Sequence, residues 1–134
     1  MTTINEAKEA ILAQFVTNFT GTSAIATDNE EFETGGLTEW VRIVVRNTNR
    51  AQESFGGVGN RRFQSRGSVL VQVYTEANTG VQRSDTLAQE VVDVLEGISL
   101  TGVDLFAAVI RETGPDGNWY QTVVEAEFDY FEIK

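Results

Sequence analysis

"ESFGGVGNRRFQSRGSVLVQVY", residues Glu53–Tyr74, decides how the chain is read. Its second half alternates: Val69, Val71 and Val73 fall on one side of an extended backbone, and Leu70, Gln72 and Tyr74 on the other. That is the two-residue period of a β-strand. Phe63 shares the valine side, so a strand is expected from about Arg62 to Thr75. The first half carries Gly56, Gly57 and Gly59, followed by Arg61, Arg62 and Arg66. Glycine beside arginine suits two tasks, a backbone cradle for phosphate or an arm that grips another protein. The phosphate reading demands more. A P-loop needs G-x-x-x-x-G-K-[ST] between strand and helix, and a dinucleotide fingerprint needs G-x-G-x-x-G opening a helix. Here no lysine follows and the next element is a strand, so the segment reads as a loop between two strands.

The flanks continue the pattern. Upstream, "TEWVRIVVRN" puts Val41, Ile43 and Val45 on one face and Trp40, Arg42, Val44 and Arg46 on the other, a strand more fully buried on the first. Residues 22–37 follow neither period and read as an acidic connection with a short strand near Ala24 to Thr27. At the N-terminus Ile4, Ala7, Ile11, Leu12, Phe15, Val16 and Phe19 recur at three-and-four spacing, the stripe of an amphipathic helix. Thr3 and Glu6 match a capping box, and Gly21 is the expected stop. Downstream, "EANTG" is a turn. A second helix is expected from about Val81 to Glu96, with Leu87, Ala88, Val91, Val94 and Leu95 inward and Gly97 beyond its end. The chain closes in a hairpin. "GVDLFAAVIRE" is apolar, "TGPDGN" is a turn, and "WYQTVVEAEFDYFEI" alternates, with Tyr120, Thr122, Val124, Ala126, Phe128 and Tyr130 on one face. The expected fold is α+β, one domain over residues 1–134. Its order is α-β-β-α-β-β, with a mainly antiparallel or mixed sheet and both helices packed on one face.

Composition narrows the chemistry. The 134 residues include no histidine and no cysteine, which removes the commonest general base, the commonest zinc ligands and thiolate chemistry. No apolar run approaches the roughly 20 residues that span a bilayer, and "MTTINEAKEAIL" lacks the pattern of a signal peptide. The net charge of −10 argues against a sequence-independent nucleic-acid binder, which needs cations to displace counterions. The charge is segregated, however. Six arginines (42, 46, 50, 61, 62, 66) face one acid, Glu53, between Arg42 and Arg66, while "DNEEFE" and "VEAEFDYFE" are acidic. Such a surface favours head-to-tail pairing with copies of itself or steering toward an acidic partner.

Two acidic features resemble catalytic or metal sites and are weaker than they look. Glu125 and Glu127 sit two apart on a strand, about 7 Å by strand rise, a spacing that would serve glycoside hydrolysis or a hard cation. They lie with Gln121 and Asp129 on the face expected to be solvated. "DNEEFE" lacks the D-x-[DN]-x-[DN]-G register of a calcium loop. No metal or cofactor is expected. Trp40, Trp119 and Tyr120, near strand ends, fit a partner contact and a core rim equally. Phe55 and Phe63 bracket the glycine-arginine segment, where apolar side chains serve a partner more often than the chain's own core.

In order, spacing and length the chain resembles the tail terminator proteins of long-tailed bacteriophages. The resemblance rests on the helix "INEAKEAILAQFVTNF", the strand "EWVRIVVRN" leading into "ESFGGVGNRRFQSRGSVLVQVYTEANTG", the helix "VQRSDTLAQEVVDVLEG" and the closing hairpin. It implies a structural virion protein, not an enzyme, made in the host cytoplasm. Such a protein forms a homo-hexameric ring on the last ring of the tail tube protein, stops polymerisation and offers a docking surface to head-completion or connector proteins. On this reading Phe55, Gly56, Gly57, Gly59, Arg61, Arg62, Phe63 and Arg66 form an assembly arm. Asp28, Glu30, Glu31, Glu33, Glu125, Glu127 and Asp129 would be its acidic complement. Rival readings are another neck component, a small enzyme acting on phosphate or sugar, and an unrelated monomeric binding module.

Overall fold

The alternating stretch becomes the middle of a sheet. In the computed structural model, which describes residues 3–22, 24–27, 31–78, 80–100 and 102–134, the elements are α1 (Ile4–Asn18), β1 (Ile25–Thr27), β2 (Glu39–Gln52), β3 (Arg62–Glu76), α2 (Gln82–Leu95), β4 (Ser99–Leu100), β5 (Val103–Asp116) and β6 (Trp119–Ile133). The strands order as β1-β2-β3-β6-β5-β4. β1 lies parallel to β2, with Ile25 beside Val41, and the other pairings are antiparallel. The fold is therefore α+β, two helices and a six-stranded mixed sheet. The long elements keep the expected order, and β4 is an addition that two residues gave no periodicity to announce.

Register follows from the apolar pattern. Val41, Val73 and Thr122 lie level across β2, β3 and β6, as do Ile43, Val71 and Val124, and then Val45, Val69 and Ala126. These valines and isoleucines are buried in one cluster with Ala7, Ile11 and Phe15 of α1, Phe19 just beyond it, and Leu87, Ala88, Val91, Val92 and Leu95 of α2. β-Branched side chains pack well on a pleated surface, and a one-residue slip would turn all of them outward.

α1 starts as expected: the Glu6 amide donates to Thr3 Oγ1 at 3.3 Å and the Thr3 hydroxyl to Glu6 Oε1 at 3.0 Å. Its buried stripe is narrower than the sequence suggests. Ile4 and Val16 are half exposed, because the inward positions advance by fours through Ala7, Ile11, Phe15 and Phe19. The helix also stops at Asn18, ahead of Gly21, where Phe19 turns extended and stacks on Phe15 at 4.8 Å. In α2 Val92 is buried and Val94 only partly so, a small rotation from the expected face.

The second face of β2 and β3 is partly covered as well. Trp40 stacks on Tyr74 at 4.1 Å and on Phe32 at 5.4 Å, with Trp119 edge-on at 6.1 Å. Trp40 is thus a buried residue of a second cluster that also holds Ala26, with Phe32 and Leu37 packed against it. Part of the connection that showed no period serves as its lid.

Two local contacts fix the frame. A Cβ on Gly67 would strike the Arg46 carbonyl oxygen and lie 2.6 Å from Phe128 Cζ. Arg83 of α2 grips both oxygens of Glu39, at 2.6 Å each, and donates to the Gly21 carbonyl at 3.0 Å, tying helix, strand and connection. The hydrogen bond from Arg83 holds the Glu39 carboxyl below its ordinary pKa.

Two outcomes follow from these contacts. Gly67→Ala overpacks a site closed by backbone and should cost about 3 kcal/mol in urea unfolding, whereas Gly57→Ala, with open space around it, should change stability by less than about 0.5 kcal/mol. The second outcome concerns pH. A depressed carboxylate stabilises the fold above its unfolded pKa of about 4.3 and loses that contribution as pH falls through its folded pKa. The melting-temperature gap between the native chain and Arg83→Met should be widest near neutrality and close in acid.

Candidate protein-docking surface

β2 and β3 continue past the core as a hairpin. Beyond Val45, residues 46–52 are exposed, and the strand that the sequence suggests ending near Asn47 runs to Gln52. The loop, residues 53–61, closes where the Glu53 amide donates to the Arg62 carbonyl at 2.8 Å and the Arg62 amide donates to Ser54 Oγ at 3.0 Å. At the tip the Asn60 amide donates to the Gly57 carbonyl at 3.0 Å, and Gly59 takes the left-handed conformation (φ +92°) that favours glycine. This turn lifts two apolar side chains into solvent: Phe55 is 88% exposed and Val58 87%. Val58 escaped notice in the sequence, although a valine inside "GGVGN" has no strand or helix to serve.

The arginines do different work from the tip. Arg62 lies 3.8 Å over the Phe131 ring and 3.3 Å from Glu53 Oε2. The Arg61 Nε–H donates to the Lys134 carbonyl at 2.9 Å, and the two backbones exchange hydrogen bonds. Arg50 sits 5.0 Å over Phe63 and donates to Ser65 Oγ at 2.8 Å and to Glu132 Oε1 at 2.6 Å. The bond from Arg50 lowers the Glu132 pKa. Arg61, Arg62 and Phe63 therefore fasten the base of the hairpin to the C-terminal strand, with the Arg62 side chain still half exposed. Such cation–π and charge-assisted contacts keep two long strands registered where no hydrophobic core supports them. Arg66 remains exposed, level with Asp129 on β6, and lines a cleft of about 420 Å³ with Gly67, Phe106 and Glu127.

The acidic residues do not gather into one patch. Asp28 and Glu30 lie outside the described residues. Glu31 and Glu33 are exposed on the segment leading to β2. On β6, Glu125 binds Arg111 at 2.9 Å and Glu127 is exposed. Asp129, expected in solvent, is buried at 8% exposure and accepts from Gln64 Nε2 at 3.1 Å. The cause is topological: β6 lies directly beside β3, so its acids sit next to the arginine hairpin instead of across the molecule. Among the described residues no three acidic side chains converge as metal ligands, and no helix is long and apolar enough to cross a membrane.

No protein-family model matches the chain, and no curated protein does. Among solved structures 29 chains match, so the architecture recurs. One of them superposes with a TM-score of 0.66, covering 95% of this chain and 92% of its own, at 19% identity. That likeness shows a common fold alone.

Proposed function

We propose that the chain is a structural subunit of a long-tailed phage virion, a tail terminator. It forms a ring on the end of the tail tube, halts polymerisation and presents a docking surface to head-completion proteins. It acts by surface fit, without bond chemistry. The observation that carries this reading is the hairpin tip. A chain that folds around an ample core of its own has no internal use for Phe55 and Val58 at nearly full exposure, and such side chains on a rigid stalk are suited to a pocket on a partner. The stalk's arginines neutralise each other's repulsion through Glu53, Glu132 and the Lys134 carbonyl, so the base of the arm is tied to the C-terminal strand, and such preorganisation lowers the entropic cost of docking. In the same reading both helices cover one face of the sheet, as their shared cluster with the β2, β3 and β6 valines supports. The part of the other face that the Trp40 cluster leaves uncovered, and the arm, are then free for neighbours.

Electron microscopy of the purified protein mixed with tail tubes tests this. The native chain should add density at one tube end and stop elongation. Phe55→Ser with Val58→Ser should leave tube ends bare while unfolding stability stays within about 0.5 kcal/mol. Tube ends that stay bare with the native chain, or stay capped with the double variant, would reject the arm's role. Charge reversal at Arg61 and Arg62 is a poorer probe, because it would also loosen the base of the hairpin.

A further inference from the structure

We infer that copies of this chain join edge to edge, the outer half of β2 on one copy adding as a strand to the outer edge of β5 on the next. The inference rests on the self-association proposed above and not on what the ring caps. Its starting point is that both outer strands are only half covered. β1 and Ala24 pair with β2 at residues 41–43, and from Val44 to Gln52 no strand lies outside β2 among the described residues. At the other edge β4 pairs with Val103 and Asp104, Gly97 and Ile98 bond to Phe106 and Leu105, and the Glu96 carboxylate accepts from the Ala108 amide at 2.9 Å. From Val109 to Thr113 nothing in the described chain pairs with that side of β5. An edge of this kind is a template for another strand unless it is blunted. Pro115, which has no donor, closes only its end, while Val109 and Ile110 stand 53% and 40% exposed along it.

The two open halves fit one another. β2 runs with β6 and against β5, so rotation about an axis inclined to the strands by well under a right angle brings β2 antiparallel to the neighbour's β5. Asn47, mid-way along the open half of β2, lies level with Gly67, Phe128 and Leu105. Arg111, mid-way along the open stretch of β5, lies level with Val123, five residues from Phe128 on β6. Joining the open halves thus needs a displacement along the strands of about 17 Å at ~3.4 Å per residue. Four long strands about 4.8 Å apart, tilted by the roughly 35–45° of a closed sheet, displace each successive copy by about 13–19 Å. The agreement has a steric consequence. At that displacement the neighbour's β1 falls level with the β5–β6 turn, while its Ala51 and Gln52 come level with Ala108 and Phe106, where Glu96 and Gly97 already bond, so the joint spans Val44 to Arg50 and no covering strand lies within it.

Charge disfavours the main alternative. Arg46 and Arg50 lie along the open half of β2, Arg50 held to Glu132 of its own chain, and Glu112 lies along the β5 edge, where Arg111 is turned to Glu125. Pairing β2 with another β2 would set arginines against arginines.

Disulfide trapping tests the joint, since the native chain has no cysteine and a disulfide forms only when Cα atoms come within about 7 Å. Single cysteines are placed at Asn47 or Asn49 on β2 and at Val109, Ile110 or Glu112 on β5, and the full chain is oxidised at high concentration without tubes. At least one β2–β5 mixture should give covalent dimers while each variant alone stays monomeric on a non-reducing gel. A chain carrying both cysteines of that pair should give a ladder. Cross-linking no greater than that of helix-surface controls Glu9→Cys and Thr86→Cys overturns the joint. So does a β5 cysteine that links to itself. Cross-links formed by protein that leaves tubes uncapped would keep the joint and reject the terminator reading, so the two failures are distinct.

Discussion

β3 is held by backbone ladders on both sides along nearly its whole length, from Phe63 to Thr75 against β2 and from Arg62 to Glu76 against β6. This double restraint is what the rest of the structure depends on. A strand paired on both sides cannot slide without breaking two ladders and rotating every buried valine to the wrong face. The core fixes its lower half through Val69, Val71 and Val73. The upper half, which has little apolar support, is offset on the β2 side by a bulge between Asn47 and Asn49 and is locked by Gly67 against the Arg46 carbonyl and Phe128. The position of the hairpin tip is therefore set by packing far from it.

The arginines gain a second meaning in this frame. A cluster of cations in one segment reads as a patch waiting for an acidic partner, yet folding brings β6 and the chain's end alongside. Arg50 finds Glu132, Arg62 finds Glu53 and the Phe131 ring, and Arg61 finds the Lys134 carbonyl. Exposed pairs of this sort add little stability each, but together they register two strands that extend beyond the core. The stalk is polar and self-satisfied, and the apolar groups are concentrated at its tip.

How much of this was legible in the sequence depended on the length of each period. The valine alternation in β2, β3 and β6 and the spacing of Leu87, Val91 and Leu95 in α2 extend over enough residues to be unambiguous, and they gave strands and helix to within a few residues. The Thr3–Glu6 cap was legible because it is local. Asp129 was misplaced because alternation assigns faces but cannot show that Gln64 on the neighbouring strand will reach it. Trp40 was ambiguous for the same reason: its cover, Phe32 and Leu37, comes from a segment without a period. The glycine-arginine loop was visible as a loop. That its base is tied to Lys134 and its tip carries Val58 required the long-range pairing of β3 with β6, which no local pattern encodes.

Net charge sets the terms on which such a molecule can meet its own copies. At −10, identical subunits repel at long range, and at physiological ionic strength that repulsion acts within a Debye length of about 8 Å. Association must then come from contacts that act at short range: a backbone ladder, apolar groups seated in pockets, and local pairs of opposite sign. In the joint proposed above, the open β2 and β5 edges and the tip of the hairpin would supply the first two, and the placement of Glu112 beside the cationic half of β2 the third. A surface built this way rewards only the approach that aligns every contact. That is the behaviour the proposed ring requires, because a heterologous contact closes only when each copy is rotated and displaced by the same fixed amount.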